Sequence, residues 1–184
     1  MATNIAVKRA RKAQRRKEIQ AERRKQEALE NSLAGQVRRA AERPIQHCLL
    51  NESLSHCGMG TLVLVRGSTP YGLTMAVFLI DTFGRGVKDV FVRSLDMDEF
   101  EFYMETLERM QPMSAVDPAL ARKLLRDVTA WARTTFGAAP HRDFVVAERM
   151  FGNVNADDCS VDFGFGARAA QADGPEQIAG PRAA

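Results

Sequence analysis

The chain has too few cysteines for a disulfide framework. It holds three, Cys48, Cys57 and Cys159, and an odd number leaves one without a partner. Small secreted domains usually carry a denser, even set, so we expect a reducing compartment. Two cysteines directly follow a histidine, which raises the question of a zinc site. Adjacent side chains diverge and rarely ligate one ion, so buried cysteines and surface histidines explain this pattern better.

A long hydrophobic run is also lacking. The longest apolar stretch, Leu73 to Ile80, has the length of a strand, whereas a bilayer span needs about 20 residues. The N-terminus opens with charge instead of the apolar segment of a secretory signal. Its arginines resemble a mitochondrial targeting peptide, but the glutamates from Glu18 onward argue against one. We therefore expect a cytoplasmic, bacterial protein without a membrane partner.

The first 43 residues contain no aromatic residue and no proline. They carry thirteen Lys or Arg against five Glu, a balance of +8, whereas the remainder has a balance of −5. Ala, Arg, Lys, Glu and Gln lose little rotamer freedom in a helix, so residues 6 to 31 are predicted to form a long basic helix. Base stacking is excluded because no aromatic side chain is present.

This basic arm, residues 1 to 43, gives the strongest functional signal. Its charge suits phosphate contacts that do not depend on base sequence, which predicts binding to nucleic acid, RNA or a ribonucleoprotein such as the ribosome. A solvated arm that only keeps the chain soluble is the plain alternative. The candidate phosphate-binding residues are Lys8, Arg9, Arg11, Lys12, Arg15, Arg16, Lys17, Arg23, Arg24 and Lys25.

A weak apolar stripe follows the most basic part of the arm. Leu29, Leu33 and Val37 recur at intervals of four, which places them on one face of a helix. Such a face can dock on the rest of the chain or on a second copy. A homo-oligomer formed through this stripe is therefore one expectation.

The remaining chain is organised around an apolar stretch from Thr61 to Leu95. Its pattern predicts three strands in an antiparallel meander, with a fourth strand expected near the C-terminus. The segment between Pro44 and Gly58 is predicted to be a short helix. The expected strands are Thr61 to Arg66, Leu73 to Asp81, Val87 to Arg93 and, as the late addition, Cys159 to Phe165.

Amphipathic helices dominate the second half. Asp96 is a predicted N-cap for a helix that ends before Pro112, and Asp117-Pro118 starts a helix that Gly137 stops. A shorter helix is expected after Asp143. The fold class is therefore α+β, a small antiparallel sheet of about three strands packed against helices. We expect an arm at 1–43, a globular domain at 44–166 and a disordered tail at 167–184.

One loop of the apolar stretch is a candidate for chemistry. Gly84, Arg85 and Gly86 can expose backbone N–H groups to a phosphate, although their spacing matches neither a P-loop nor a dinucleotide fingerprint. A tight strand connection, with Asp81 capping backbone amides, explains the same residues. An enzyme acting on a phosphate-containing or nucleic-acid substrate would draw its catalytic groups from Asp81, Lys88, Asp89, His141 and Asp143.

The chemical roles of these candidates follow from residue type. Asp81 and Asp89 could hold a divalent metal for phosphoryl chemistry, and no other cofactor is indicated. His141 and Asp143, two residues apart, could form an orienting pair for general-base catalysis, although a capping turn with a surface histidine has the same pattern. An adaptor that pairs through its acidic domain and basic helix is a further alternative.

Several short motifs resemble a family of bacterial hypothetical proteins that has no assigned activity. The resemblance covers residues 47 to 165 and implies a shared domain, without implying a reaction. The chain departs from the family pattern at Gly84-Arg85, where a Cys-Leu-like pair is expected. The motifs are Phe78-Leu79-Ile80-Asp81, Gly86-Val87-Lys88-Asp89, Pro140-His141-Arg142-Asp143-Phe144, and Phe151-Gly152 with Cys159 after it.

Overall fold

The computed structural model describes the backbone of residues 2–68 and 72–166, with side chains for residues 12, 14–68 and 72–166. The predicted tail at 167–184 lies outside these residues. Two 3-10 turns, Glu148–Phe151 and Ala156–Asp158, follow the last helix. The strands are β1 Ile45–Asn51, β2 Met59–Gly67, β3 Leu73–Asp81, β4 Gly86–Leu95 and β5 Met113–Ala115. The helices are α1 Ala2–Asn31, α2 Leu33–Ala41, α3 Leu54–Cys57, α4 Met97–Met110, α5 Pro118–Phe136 and α6 Phe144–Ala147.

The predicted α+β class and the meander β2-β3-β4 are confirmed, but the predicted number of strands is wrong. The sheet has five antiparallel strands in the order β4-β3-β2-β1-β5. Ile45–Asn51 pairs with β2 as a strand where a helix was predicted, and only Leu54–Cys57 is helical. Residues 45–51 spread apolar side chains over both sheet faces, and pairing with β2 outweighs their weak local helix pattern.

The expected late strand is also absent. Residues 159–165 have no regular secondary structure. Their aromatic side chains instead pack beside α5, where the ring centroid of Phe165 lies 5.5 Å from that of Trp131. Apolar residues that alternate in the sequence thus cover a helix surface here.

Both faces of the central strands are buried, which explains their nearly continuous apolar sequence. On one face, Leu64 and Phe78 pack against α5 through Leu124 and Leu125. We call this the α5 face, and α2 and α6 also pack there. On the opposite α4 face, Val63 and its neighbours pack against the apolar side of α4. Because α4 is the main cover on that side, part of the α4 face stays open.

The helix termini follow the sequence signals. Asp96 caps α4 in a capping box, accepting from the backbone N–H of Glu99 at 2.8 Å while the Glu99 carboxylate accepts from the Asp96 N–H. Asp117 caps α5, and Gly137 ends it with a φ of 64°. The predicted cap by Asp143 is wrong, since its side chain makes no capping hydrogen bond to α6.

The arm has a break near its base. α1 ends at Asn31, and the Ser32 hydroxyl then accepts a hydrogen bond from the Gly35 N–H at 3.2 Å to start α2. A Cβ on Gly35 would lie 2.5 Å from the Leu29 carbonyl oxygen, so the sharp turn requires glycine. Val37 is buried in the core on the α5 face. The arm is therefore attached to the sheet through α2.

Candidate nucleic-acid interface and candidate catalytic cleft

The described part of α1 is a basic helix whose side chains are all exposed. This includes seven predicted phosphate-binding residues, whereas the side chains of Lys8, Arg9 and Arg11 lie outside the described part of the structure. Arg23 pairs with Glu27, at 2.8 Å between Nε and Oε1, and both side chains are well exposed. The other six described basic residues of α1 are in no ion pair: Lys12, Arg15, Arg16, Lys17, Arg24 and Lys25.

The geometry of the helix spreads these charges in two directions. Consecutive residues such as Arg15, Arg16 and Lys17 are separated by about 100° around the helix axis. Lys12 and Lys25 are separated by about 20 Å along the axis, at 1.5 Å per residue. That length matches about six phosphates on one strand of a duplex, at 3.4 Å each.

The apolar stripe predicted after Leu29 is divided by the break at Ser32. Leu29 is exposed on α1, whereas Val37 is 1% exposed and belongs to the core. Leu33 is half-buried against that core. In the structure, the part of the stripe on α2, Leu33 and Val37, packs on the domain. Oligomerisation through Leu29, Leu33 and Val37 stays a prediction, and Val37 would have to leave the core to take part.

The base of the arm is held by a residue that the sequence patterns did not reveal. Arg66 on β2 is 7% exposed and has no carboxylate partner among the described residues. Its guanidinium donates to the carbonyl oxygens of Ala41 at 3.1 Å, of Phe151 at 2.7 Å, and of Arg43. Burial lowers the pKa of this guanidinium below its ordinary value. Arg66 thus satisfies carbonyls at the end of α2 and joins them to the sheet.

The backbone amides of the candidate phosphate loop are already hydrogen-bonded to the carboxylate of Asp81. Asp81 Oδ1 accepts from the N–H groups of Phe83 at 3.0 Å and Gly84 at 2.9 Å, and Oδ2 accepts from Arg85 N–H at 3.1 Å. Gly86 then has a φ of 69°, a region that favours glycine. The amides on which a phosphate would dock are therefore occupied, which agrees with the tight-connection alternative.

The structure brings His141, Asp89 and Asp143 together across β4. His141 Nε2 lies 3.7 Å from Asp89 Oδ1, and Nδ1 lies 3.9 Å from Asp143 Oδ2. These distances exceed those of hydrogen bonds, so the imidazole is near two carboxylates without being fixed by either. The backbone of His141 is fixed, since its N–H donates to the Val87 carbonyl oxygen at 3.1 Å.

A shallow cleft of about 400 Å³ lies beside this group, lined by Arg85, Lys88, His141 and the segment 138–140. Lys88 is exposed, and its Nζ lies 3.9 Å from the Met59 sulfur. No hydroxyl or thiol in the described ranges hydrogen-bonds His141. Those ranges also contain no group of three His, Cys, Asp or Glu side chains placed to hold a metal ion.

A second network missed by the sequence patterns joins α5 to the segment after α6. Glu148 accepts from Arg122 Nε at 2.7 Å and from Arg126 Nε at 3.0 Å. Burial raises the pKa of Glu148, but the hydrogen bonds and charges of the two arginines outweigh it and hold that pKa below its ordinary value. The spacing from residue 122 to residue 148 carries no local signal, so only packing reveals the network.

Comparison with known proteins gives no relative: no protein-family model, no curated protein and no solved structure matches the chain. The resemblance to a bacterial hypothetical family therefore stays a prediction. Within residues 2–68 and 72–166, no helix combines the length and the apolar character needed to cross a membrane.

Proposed function

We propose that this chain binds nucleic acid, RNA or a ribonucleoprotein such as the ribosome, by phosphate contacts of its basic arm. The observation that carries the proposal is the exposure of the arm. Every described side chain of α1 is exposed, and six of its seven described basic residues are in no ion pair. Their charge is available to a polyanion because no carboxylate has to be displaced.

The physical basis is the release of counterions. Each phosphate neutralised by Lys or Arg frees condensed ions, so the affinity falls as salt rises. Base-specific contacts are not part of the proposal, because the arm has no aromatic residue on which a base could stack. The affinity is therefore expected not to depend on the base sequence of the nucleic acid.

The buried anchor at the base of the arm supports this function. Arg66 ties the end of α2 to the sheet, and the Gly35 turn sets the direction in which α1 leaves the domain. A helix held at one end loses less orientational freedom on binding than a free peptide would. The domain, with its balance of −5, does not itself compete for the polyanion.

The decisive experiment measures binding of a fluorescent single-stranded RNA of about 30 nucleotides by anisotropy at several salt concentrations. The arm variant replaces Arg15, Arg16 and Lys17 with Gln. The matched control replaces Arg109, Arg133 and Arg142 on the domain with Gln, which removes the same net charge. The arm variant should lose affinity about tenfold or more at low salt and reduce the slope of log K against log salt by about 2.

Two results would contradict the proposal. One is equal loss of affinity in the arm variant and the domain control, which would indicate a general charge effect. The other is wild-type binding that does not change with salt. A chain starting at residue 32 provides a further comparison, because α2 and its anchor are retained in it while α1 is removed.

A second candidate function is catalysis on a phosphate-containing substrate in the cleft. The observation that favours it is the approach of Asp89 and Asp143 to His141, next to the cationic Arg85 and Lys88. A protonated His141 would complete an electropositive cleft, and a neutral one could accept a proton from a hydroxyl. A divalent ion at Asp89 would further promote phosphoryl transfer.

This candidate is tested with fluorogenic phosphate mono- and diesters, with and without Mg²⁺ or Mn²⁺. Activity should be lost on His141→Ala and retained on His56→Ala, the matched change outside the cleft. Turnover unchanged in His141→Ala would exclude the cleft as its source. Adaptor function remains a further proposal, for which capture of a partner independent of nuclease treatment would be the diagnostic result.

A further inference from the structure

β4 is an edge strand with an open outer side. It is the first strand in the sheet order, runs from Gly86 to Leu95, and pairs with β3 alone among the described residues. The pairs Leu79–Asp89 and Ile80–Val87 leave Lys88 as an extra residue, a β-bulge. The loop at His141 covers the outer side at Val87 through one hydrogen bond.

Two hydrogen bonds identify which backbone groups point outward. The carbonyl oxygen of Val87 accepts from His141 N–H, and the N–H of Val90 donates to the Asp89 side chain at 2.8 Å. Val87 and Val90 would point in opposite directions in a regular strand, but the extra residue at the bulge lies between them, so both point outward. Residues 90, 92 and 94 therefore direct their N–H and C=O groups away from β3.

The open side lacks the usual protection at its centre. Natural edge strands are guarded by charge, proline, bulges or a covering element. Here Phe91 stands midway along the strand and is 43% exposed, with Tyr103 of α4 as its aromatic neighbour at 6.3 Å. On the same α4 face, Asp89 precedes it by two residues and Arg93 follows it by two. An acidic, an aromatic and a basic side chain therefore follow one another along the α4 face of the edge strand.

This order is complementary to itself when reversed. We propose that a second copy of the chain binds here, with its β4 antiparallel to this β4 and a two-fold axis at Phe91. Asp89 then lies opposite Arg93 of the second copy, Arg93 opposite Asp89 of the second copy, and the two Phe91 side chains meet at the axis. Two five-strand sheets become one ten-strand sheet.

The backbone accepts this register. With the axis at Phe91, the outward groups of Val90 face those of Val92 in the other copy, which forms hydrogen-bonded pairs on both sides. The two Phe91 residues form the intervening non-hydrogen-bonded pair, where side chains approach most closely. A register shifted by an odd number of positions would set outward groups against inward ones and form no ladder.

The neighbouring allowed registers lose the charge match. An axis at Val90 sets Asp89 opposite Phe91, and an axis at Val92 sets Phe91 opposite Arg93. Neither places Asp89 opposite Arg93. Arg93 exchanges the exposed Glu99, 3.2 Å away, for its new partner. Asp89 is itself exposed and exchanges two contacts, the half-buried His141 at 3.7 Å and the Val90 N–H, from which its Oδ1 accepts at 2.8 Å. The Val90 N–H is then free to donate across the interface.

Charge exchange tests the register directly, by sedimentation velocity on the full chain over a range of concentrations. Asp89→Arg sets two arginines opposite each other, and Arg93→Asp sets two aspartates opposite each other. Each single variant should weaken the dimer about tenfold or more. The double variant Asp89→Arg with Arg93→Asp restores opposite charges and should regain most of the affinity.

A cross-link gives an independent readout of the axis. In a Cys57→Ser, Cys159→Ser background, Phe91→Cys should form an intermolecular disulfide on mild oxidation, since residues in a non-hydrogen-bonded pair are about 4.5 Å apart at Cα. Phe102→Cys, an exposed position on α4, is the matched control and should not cross-link at the same rate.

Three outcomes would overturn the proposal. They are a wild-type chain that remains monomeric at about 0.5 mM, well above the micromolar range of moderate complexes, a double variant no better than the single ones, and equal cross-linking at both cysteine positions. Circular dichroism melts of each variant verify folding. The proposal does not depend on nucleic-acid binding, and removing α1 should leave the dimer unchanged.

Discussion

The guanidinium of Arg66, on the central strand β2, donates a hydrogen bond to the carbonyl oxygen of Ala41, the last residue of α2. A buried cation thus caps the negative end of the helix from which the arm extends. The same side chain reaches Phe151, 85 positions further along the chain. One residue therefore fixes the arm, the sheet and the segment after α6 to one another.

Replacing Arg66 should destabilise the fold strongly. Arg66→Met keeps the apolar stem but leaves the carbonyls of Ala41, Arg43 and Phe151 without their donor, so we expect a loss of about 3 kcal/mol in the free energy of unfolding. Urea denaturation measures it. Arg85→Met, at an exposed position, is the control and should change stability by less than about 0.5 kcal/mol. Similar losses in both variants would contradict the anchoring role.

Two glycines with positive φ should respond differently to alanine. Gly137, at φ 64° and ψ 17°, lies in the left-handed helical region, whereas Gly152, at φ 58° and ψ −123°, lies outside it and is more strained for any other residue. A Cβ on Gly152 would lie 2.9 Å from the Ala41 carbonyl oxygen and 3.0 Å from Arg66 Nη2, whereas a Cβ on Gly137 meets nothing within 4 Å. Gly137→Ala should cost about 1 kcal/mol from conformation alone. Gly152→Ala should cost roughly 1–2 kcal/mol more, by thermal or urea unfolding.

Glu148 should make stability depend on acidic pH. Its pKa is held below the ordinary value by Arg122 and Arg126, so its contribution is present above the unfolded-state pKa and is lost as pH falls through the folded-state pKa. Glu148→Gln should lower the free energy of unfolding by about 2–3 kcal/mol at pH 7, because the partly buried Arg122 loses its partner, whereas the exposed Arg126 loses less.

The difference between wild type and Glu148→Gln should begin to shrink as the pH falls below the ordinary Glu pKa of about 4.3, where the unfolded chain binds the proton, and should disappear below the lowered folded-state pKa. Urea titrations across pH 3 to 7 measure this. Glu105→Gln is the control, because Glu105 pairs with Arg109 on an exposed surface and should contribute little at any pH. A Glu148→Gln deficit that is constant with pH would show that shape, not charge, matters there.

The buried and the exposed thiol should differ in reactivity. Burial, with a smaller effect from Asp117, raises the pKa of Cys48 to about 12, whereas Cys57 is exposed. Since the thiolate is the reactive form, Ellman's reagent at pH 8 should modify Cys57 rapidly and Cys48 only after unfolding. Mass spectrometry of the modified peptides identifies each site. Rapid modification of Cys48 in the folded chain would contradict its burial.

Cys48 also predicts a loss of stability in alkali. Between about pH 9, the ordinary value, and pH 12, the unfolded chain ionises this thiol while the folded chain keeps it protonated. Ionisation therefore favours the unfolded state as pH rises through that window. Cys48→Ala should have a flatter stability profile there than the wild type, even though it starts from a lower stability at neutral pH.

Local patterns account for much of the fold. The capping box at Asp96, the Asp117-Pro118 helix start and the Gly137 stop depend on contacts within a few residues, and all three were predictable. The strand at Ile45 was not, because its conformation is set by pairing with β2 and not by its own residues. Asp81 lies between these cases: the sequence allowed a turn-forming role or a role in a site, and the hydrogen bonds of Asp81 to the loop amides agree with the turn-forming role.

The sequence by itself determined the partition of charge, the long basic helix, the α+β class and the central meander. Composition and short-range periodicity are sufficient for these features, since they depend on neighbours within one or two turns. Only the tertiary structure decided the five-strand order, the Arg66 anchor, the approach of Asp89 to His141 and the open edge around Phe91. Each joins residues distant along the chain, and the close packing that selects such contacts leaves no local trace in the sequence.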